Sequence, residues 1–475
     1  LSALPVALGS PYRTLIAAGG LLVLCIVGLT LLSPGFDWSR SPAMRPTLTA
    51  CALIALAGLA FAVMARWATR GRGLALVPMI ALGLAMRLAM VGSTPIWEDD
   101  FYRYLWDGAA VSRGLDPYRV SPTLAAESTA PSGWQALSQA EPELRDRVNH
   151  PQFRTLYPAV AQGAFALAHA LGGGVLGLRL IILAAEATGL FLLLMLLGRQ
   201  GLPLEWSALY WLNPLAVVSF INGVHFDALL IPLILGAVLA MTTRRSAVGS
   251  ALIGLAAGVK LWPILLWPLT IRIAGRLGST RWVLGAGVAG GIALLSVTPI
   301  VAAGLGSDAG LVAYAETWTR NSAVHPVLFN AATAIVRAAG LIQVMDPERT
   351  VRVLLGLTGA LLAVVFAARV TPGRLQPGPL LLLAFLILAL GPAQYPWYGA
   401  ALLPLAALAG AWRTAAAAAV VSCVYYLRFV LDETGALLTT LVWIEHLTLW
   451  GALYLDLRRP PALADDRPDG VTHAA

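Results

Sequence analysis

Between Pro95 and Tyr118 the chain gathers Glu98, Asp99, Asp100, Arg103, Asp107, Arg113 and Asp116 among aromatic residues, although most of its other segments are apolar. Adjacent carboxylates repel one another and lose hydration near an apolar surface, so at least one of them binds its proton more tightly than usual. That property suits a base that must take a proton from a hydroxyl. The plainer alternative is an acidic, solvated helix N-terminus, which the helix dipole favours; spacing alone leaves both open. Arg103 and Asp107 stand four apart, so on a helix they can pair, with Tyr104 alongside. Gly114-Leu115-Asp116-Pro117-Tyr118 reads as the turn that ends the helix.

Other polar residues stand at the ends of apolar runs. Asn222, His225 and Asp227 fall together at one such end, where ionisable groups are costly unless used. They suit metal ligands, phosphate contacts or hydrogen-bonded helix ends, but no HxxxH or CxxC spacing accompanies them, and no metal is expected. Lys260 is the only lysine. It serves either as a point charge for a phosphate or as a residue snorkelling to the interface. Arg428 is a second phosphate candidate, with a structural pair to Glu445 as its alternative. Arg320 and His325 lie on a later polar segment. Tyr395, Trp397 and Tyr398 form either an interfacial belt or a sugar-stacking surface. Asn149-His150-Pro151 and Thr155-Leu156-Tyr157-Pro158 read as a rigid rim.

The elements that must position these groups are membrane helices. The 475 residues are 58% hydrophobic and only 12% charged, with a mean hydropathy of +0.76. Such a composition, with apolar runs near twenty residues, describes an all-α polytopic membrane protein. The net charge of +8 reflects arginines set singly or in pairs between apolar runs, without a basic stripe for nucleic acid. Cys25, Cys51 and Cys423 lie in apolar runs without ligand spacing and read as buried, inert thiols. The first apolar run lacks a small-residue cleavage signature and reads as a retained span.

Runs at 15–32, 48–65 and 74–91 give three spans, and Arg66, Arg70 and Arg72 mark the cytoplasmic side between the second and third. The acidic stretch then faces the extracytoplasmic side. Residues 93–174 form a first large extracytoplasmic loop with interfacial helices. Its apolar part, 157–171, is too short to cross and docks or half-inserts. Residues 247–273 read as a broken hairpin entering from the cytoplasm, with Lys260 at its centre. Residues 302–349 form a second outer loop with an amphipathic helix interrupted by Arg337. Counting the hairpin as re-entrant gives about 12 crossings in a single domain, 1–459, with both termini cytoplasmic. The Pro- and Asp-rich tail, 460–475, reads as disordered.

WEDDFYRYLWDG, followed by GLDPY, TLYP and NGVHFDALLIP, resembles the polytopic mannosyltransferases that use polyprenol-phosphate-mannose, members of the GT-C superclass of membrane glycosyltransferases. The resemblance runs from the third span to at least Pro263, and more loosely along the hydropathy profile. One departure is that two spans precede the span leading into the acidic loop, where the superclass commonly has none. The resemblance implies a GT-C-like helical bundle that transfers a hexose, mannose first, from a polyprenyl-phosphate donor to a glycan or lipid hydroxyl. The family's base, an Asp in the first large outer loop, falls by motif on Asp100, with Asp99 as the alternative. Inverting transfer follows, with Arg103, Lys260 or Arg428 near the departing phosphate and the remaining residues above as substrate contacts. Of the three cations Lys260 is expected to lie farthest, on a hairpin from the opposite side. No cofactor is expected: GxxxxGK[ST] and the dinucleotide fingerprint are both missing from the sequence. The bacterial-type inner membrane is the implied location. A transporter or flippase of a polyprenol-linked sugar, with Arg87, Glu186, Arg428 and Glu445 along a path, is the alternative from another class.

Overall fold

A computed structural model describes residues 10–70, 75–276 and 278–459. Arg72, the first residue of the expected third span and the tail 460–475 lie outside the described residues. Among those residues, six helices are long and apolar enough to cross a membrane, and a bent pair is a seventh candidate. Six shorter apolar helices complete the bundle. The architecture is thus an all-α polytopic membrane protein.

The first helices are α1 (Ser10–Leu32), α2 (Thr47–Ala68) and α3 (Leu76–Met90). All three precede the acidic stretch. Close packing rests on small residues: a Cβ on Gly58 of α2 would lie 2.7 Å from the Ala419 carbonyl carbon in the Trp412–Val421 helix. Gly83 of α3 lies equally close to Trp211, its Cβ position being 2.8 Å from the Trp211 carbonyl oxygen. Where α3 meets the Gly174–Arg199 helix, Arg87 and Glu186 form a fully buried two-pronged pair, at 3.1 and 2.6 Å. Arg87 also donates to the Trp211 carbonyl at 2.7 Å and stacks 3.6 Å above its ring. Every nitrogen of the guanidinium thus has an acceptor, which is what allows such charges to stay out of water.

About two turns earlier on the Gly174–Arg199 helix, Arg179 donates to the carbonyls of Val91, Ser93, Ile221 and Asn222. Asn222 completes the clamp: its side chain accepts from the Ile96 amide at 2.9 Å and donates to Ser93 Oγ and the Thr94 carbonyl, both at 2.8 Å. These bonds lock residues 91–96 onto the end of the Pro214–Asn222 limb. That limb and Phe226–Thr242 pass together as one apolar segment but bend by 112° at the break. Val224 sits in the break with φ +60°, a conformation β-branched residues rarely adopt. His225 and Asp227 are carried into the interior as a result.

Residues 93–174 fold as a loop domain with helices at Asp100–Ser112 (α4), Ser132–Ala140 and Ala159–Ala170. It has a small core of its own, including Trp106, Val120, Trp134 and Leu137. The Ala159–Ala170 helix is 12 residues long and packs along α4. Ser246–Ala257 and Trp262–Ile273 form the expected hairpin. Its tip, however, reaches the cavity beside α4, so Lys260 lies in the same space as the acidic residues. The later polar segment carries Gly310–Thr317 and the amphipathic Val324–Ala338 helix. Helices at Pro347–Arg369, Pro377–Ala389, Pro396–Leu408, Trp412–Val421 and Ala436–Arg458 close the bundle.

Candidate functional site

The N-terminus of α4 opens into a cavity of about 760 Å³, lined by Glu98, Asp99, Asp100, Arg103, Tyr104 and Lys260 on one side. Arg320, Tyr395, Trp397, Tyr398 and Arg428 face them from the second half of the chain. Segments hundreds of residues apart thus converge on one space.

The carboxylates are not a solvated cap. Asp99 occupies the N-cap position but makes no side-chain cap bond. The Asn149 side-chain amide donates to Asp99 Oδ1 at 3.0 Å and to Asp100 Oδ1 at 2.8 Å. Asp100 Oδ2 lies 4.0 Å from His225 Nδ1, and Glu98 Oε2 lies 3.1 Å from His225 Nε2, though neither ring nitrogen makes an aligned hydrogen bond. The imidazole stacks on Trp397 at 3.6 Å, and Trp397 stacks on Tyr395 at 4.4 Å. Tyr426 donates to Glu98 Oε1 at 3.4 Å.

Burial raises all three carboxyls. Asp99 is pushed up to about 6, first by burial and then by Asp100, with the Asn149 bond opposing. Asp100 is raised by burial and held down by Asn149, Lys260, His150 and Arg103. Glu98 is raised furthest by burial, with Asp100 and Asp99 adding to the effect. Three neighbouring acids in unlike surroundings can therefore differ in protonation at one pH.

The cations are distributed unevenly. Lys260 Nζ donates to Asp227 Oδ1 at 2.6 Å and lies 4.1 Å over the Tyr398 ring. Its charge is therefore largely matched. Tyr398 shares a 3.0 Å hydroxyl contact with Tyr314. At the mouth, Arg320 and Arg428 both pair with Glu433, so two positive charges meet one negative. That leaves net positive charge at that edge of the cavity. The expected partner of Arg428, Glu445, instead accepts from Asn321 at 3.1 Å.

Arg103 and Asp107 do not form the expected i,i+4 pair. Arg103 donates to the carbonyls of Asn149 and His150 at 3.2 and 3.0 Å, and Asp107, turned inward, accepts from Gln162 at 2.9 Å. The loop-domain carbonyls and Gln162 offer each charge a better-placed partner than the other. Asn222 is in the clamp described above, beneath the site. His225 and Asp227 form the floor behind Trp397 and Lys260. His325 stands apart from the cavity, 3.2 Å from Glu348 between the Val324–Ala338 and Pro347–Arg369 helices.

Asn149, Tyr314, Trp318 and Tyr426 belong to this neighbourhood without having stood out as chemical groups in the sequence. Only Asn149 left a trace, as part of the Asn-His-Pro rim. Among the described residues no group of three His, Cys, Asp or Glu side chains converges to hold a metal ion.

Residues 6–276 match the family described as alpha-(1->6)-mannopyranosyltransferase, N-terminal domain. The chain is also 26% identical over 295 residues to alpha-(1->6)-mannopyranosyltransferase A of Mycobacterium tuberculosis (strain ATCC 25618 / H37Rv), covering 58% of this chain and 53% of that protein. The chain thus spans about half the length of the curated relative it matches. No solved structure matches it.

Proposed function

This chain belongs to the alpha-(1->6)-mannopyranosyltransferase family, and from that premise we propose that it transfers mannose from a polyprenyl-phosphate-linked donor to a hydroxyl of a glycan or lipid acceptor. The transfer is inverting and takes place at the extracytoplasmic face of a bacterial-type inner membrane, with the donor's tail among the membrane helices. The matched segment contains Glu98, Asp99, Asp100 and Asp227 as well as His225 and Lys260.

The observation that carries this reading is the division of charge across the cavity. Part-buried carboxylates line one wall, and Arg320 and Arg428, only partly neutralised by Glu433, stand at the mouth. An acceptor hydroxyl beside Asp100 gives its proton to that carboxylate as its oxygen bonds to the anomeric carbon. The bond from that carbon to the phosphate oxygen breaks, and its electron pair leaves with the lipid phosphate. Charge grows on the phosphate as this happens, and fixed cations help most at that point. Asp99 is the alternative base.

The test uses purified protein in detergent with labelled polyprenyl-phosphate-mannose and a mannoside acceptor. Wild-type protein is expected to form product, and Asp100→Asn to lose roughly 10²–10⁴-fold in rate while folding normally. A wild-type rate for Asp100→Asn would refute the assignment. Donor binding without turnover by the wild type would favour the transporter, because detergent leaves no compartments to transport between.

A further inference from the structure

We propose that Asn149 is a positioning residue that gives Asp99 and Asp100 unlike tasks, its one amide group committing an N–H to each and preventing the two from sharing a proton. The inference rests on the reading of Asp100 as base.

The geometry is a closed circuit between α4 and a segment about fifty residues later. Arg103, one turn into α4, grips the carbonyls of Asn149 and His150. The backbone turns sharply there, with φ +47° at His150. The Asn149 side chain is thereby returned to the start of the same helix, where its Nδ2 lies 3.0 Å from Asp99 Oδ1 and 2.8 Å from Asp100 Oδ1. A primary amide has two N–H donors, so both are used. Asp100 Oδ2 is left on the side of His225.

Two buried carboxylates side by side ordinarily hold one proton between them, because both cannot ionise cheaply. Such a pair makes a poor base at neutral pH. The groups facing this pair are Glu98 on the same loop, Arg45 before α2, Arg103 on α4, His150 beyond Asn149, His225 in the broken limb, and the Lys260–Asp227 couple at the hairpin tip. Of these influences, the Asn149 bond is the leading one favouring the ionised form of both acids. The cations near them are otherwise engaged: Arg103 with carbonyls, Lys260 with Asp227. Removing the amide therefore leaves the pair to trap a proton, and Asp100 regains its basicity only in more alkaline solution.

The experiment measures kcat/KM against pH for wild type, Asn149→Ala, Asn149→Ser and Asn149→Asp, with infrared titration of the protonated carboxyl band in the same samples and in Asp100→Asn. Asn149→Ala is expected to move the acid limb up by about one pH unit, a tenfold loss at any pH on that limb that is regained at alkaline pH. Asn149→Asp, which adds a third negative charge, is expected to move it further. A profile lowered by the same factor at every pH would overturn the proposal, as that is what a merely structural residue would give. The infrared midpoint needs no turnover, so it separates the two readings. If no mannose is transferred but the midpoint shifts upward in Asn149→Ala, the clamp stands and the assigned reaction fails. An unshifted midpoint overturns the clamp whatever the activity. If Asn149→Ala does not fold, the smaller change to Ser is read in the same way.

Discussion

Lys260→Met is the perturbation that most directly asks whether the hairpin tip belongs to the site. The Lys260 side chain is 18% exposed and its partner Asp227 only 1%, with 2.6 Å between Nζ and Oδ1. Asp227 Oδ2 has no hydrogen-bond partner and Oδ1 takes the lysine, so the lysine is the carboxylate's main compensation. Removing one member of a buried pair costs about 3–5 kcal/mol, and the partial exposure of Lys260 puts this case near the lower end, about 3 kcal/mol. Replacing both members, Lys260→Met with Asp227→Asn, removes the stranded charge and is expected to restore most of that stability. The assay is thermal unfolding in detergent, where the single variant should melt roughly 5 °C lower and the double variant close to wild type. Mannosyl transfer by the double variant then isolates the contribution of the lysine to turnover, since the stability loss has been cancelled. If the single variant unfolds at the wild-type temperature, the pair contributes nothing to the fold. If the double variant also transfers at the wild-type rate, Lys260 has no part in the reaction either.

Two further outcomes follow from the same geometry. Gly108 on α4 faces the Ala159–Ala170 helix so closely that a Cβ would lie 2.8 Å from the Phe165 carbonyl carbon; Gly108→Ala should cost about 1–3 kcal/mol and, by tilting the helix that carries Asp100, lower kcat at least tenfold, both checked by melting and steady-state kinetics. The raised carboxyl of Asp99 means the folded protein binds that proton more tightly than the unfolded chain, so its stabilising contribution is complete below 3.8 and lost as pH rises through about 6. Asp99→Asn should therefore melt above the wild type on the alkaline side of that window, an advantage that disappears on the acidic side; an advantage constant with pH would contradict the sign.

The helices were legible because apolar runs are long and arginines mark their ends. Of the spans expected first, 15–32 became Ser10–Leu32 and 48–65 became Thr47–Ala68. The end of an apolar run at Asn222, His225 and Asp227 was legible, but not the 112° bend that carries His225 and Asp227 into the interior, because both limbs are apolar. Spacing along one element also misled. Arg103 and Asp107 have helical spacing, but a residue takes the best partner in space, and the loop-domain carbonyls and Gln162 came from 46 to 55 residues away. Arg428 met Glu433, not Glu445, for the same reason: Glu433 is five residues on, in the same turn region, whereas Glu445 faces Asn321. Asn149 was the least visible of all, since an uncharged amide shows its importance only once its two partners are in place.

The buried ionisable residues divide into two kinds, and the division bears on the transporter alternative. A path across the bundle would need Arg87, Glu186, Arg428 and Glu445 to line one continuous space. Arg87 and Glu186 are instead sealed at 0% exposure against Tyr210 and Trp211. Arg428 stands at the mouth of the large cavity, while Glu445 lies in a separate small pocket with His446 and Trp450. Charge in the membrane region is thus largely structural, serving to lock helices, whereas charge at the head of α4 is left facing open space. Of the five non-glycine residues at positive φ among the described residues, three adjoin the second kind. Trp97, His150 and Val224, at φ +58°, +47° and +60°, stand immediately before Glu98, after Asn149 and before His225. Such conformations cost about 1–3 kcal/mol each and persist only where surrounding bonds over-determine them. Here those bonds are the Arg179, Asn222 and Arg103 clamps, which hold three distant segments at one point. A fold that concentrates its strain and its clamps around the same carboxylates is organised to keep a reacting group in place, not to let a path open and close.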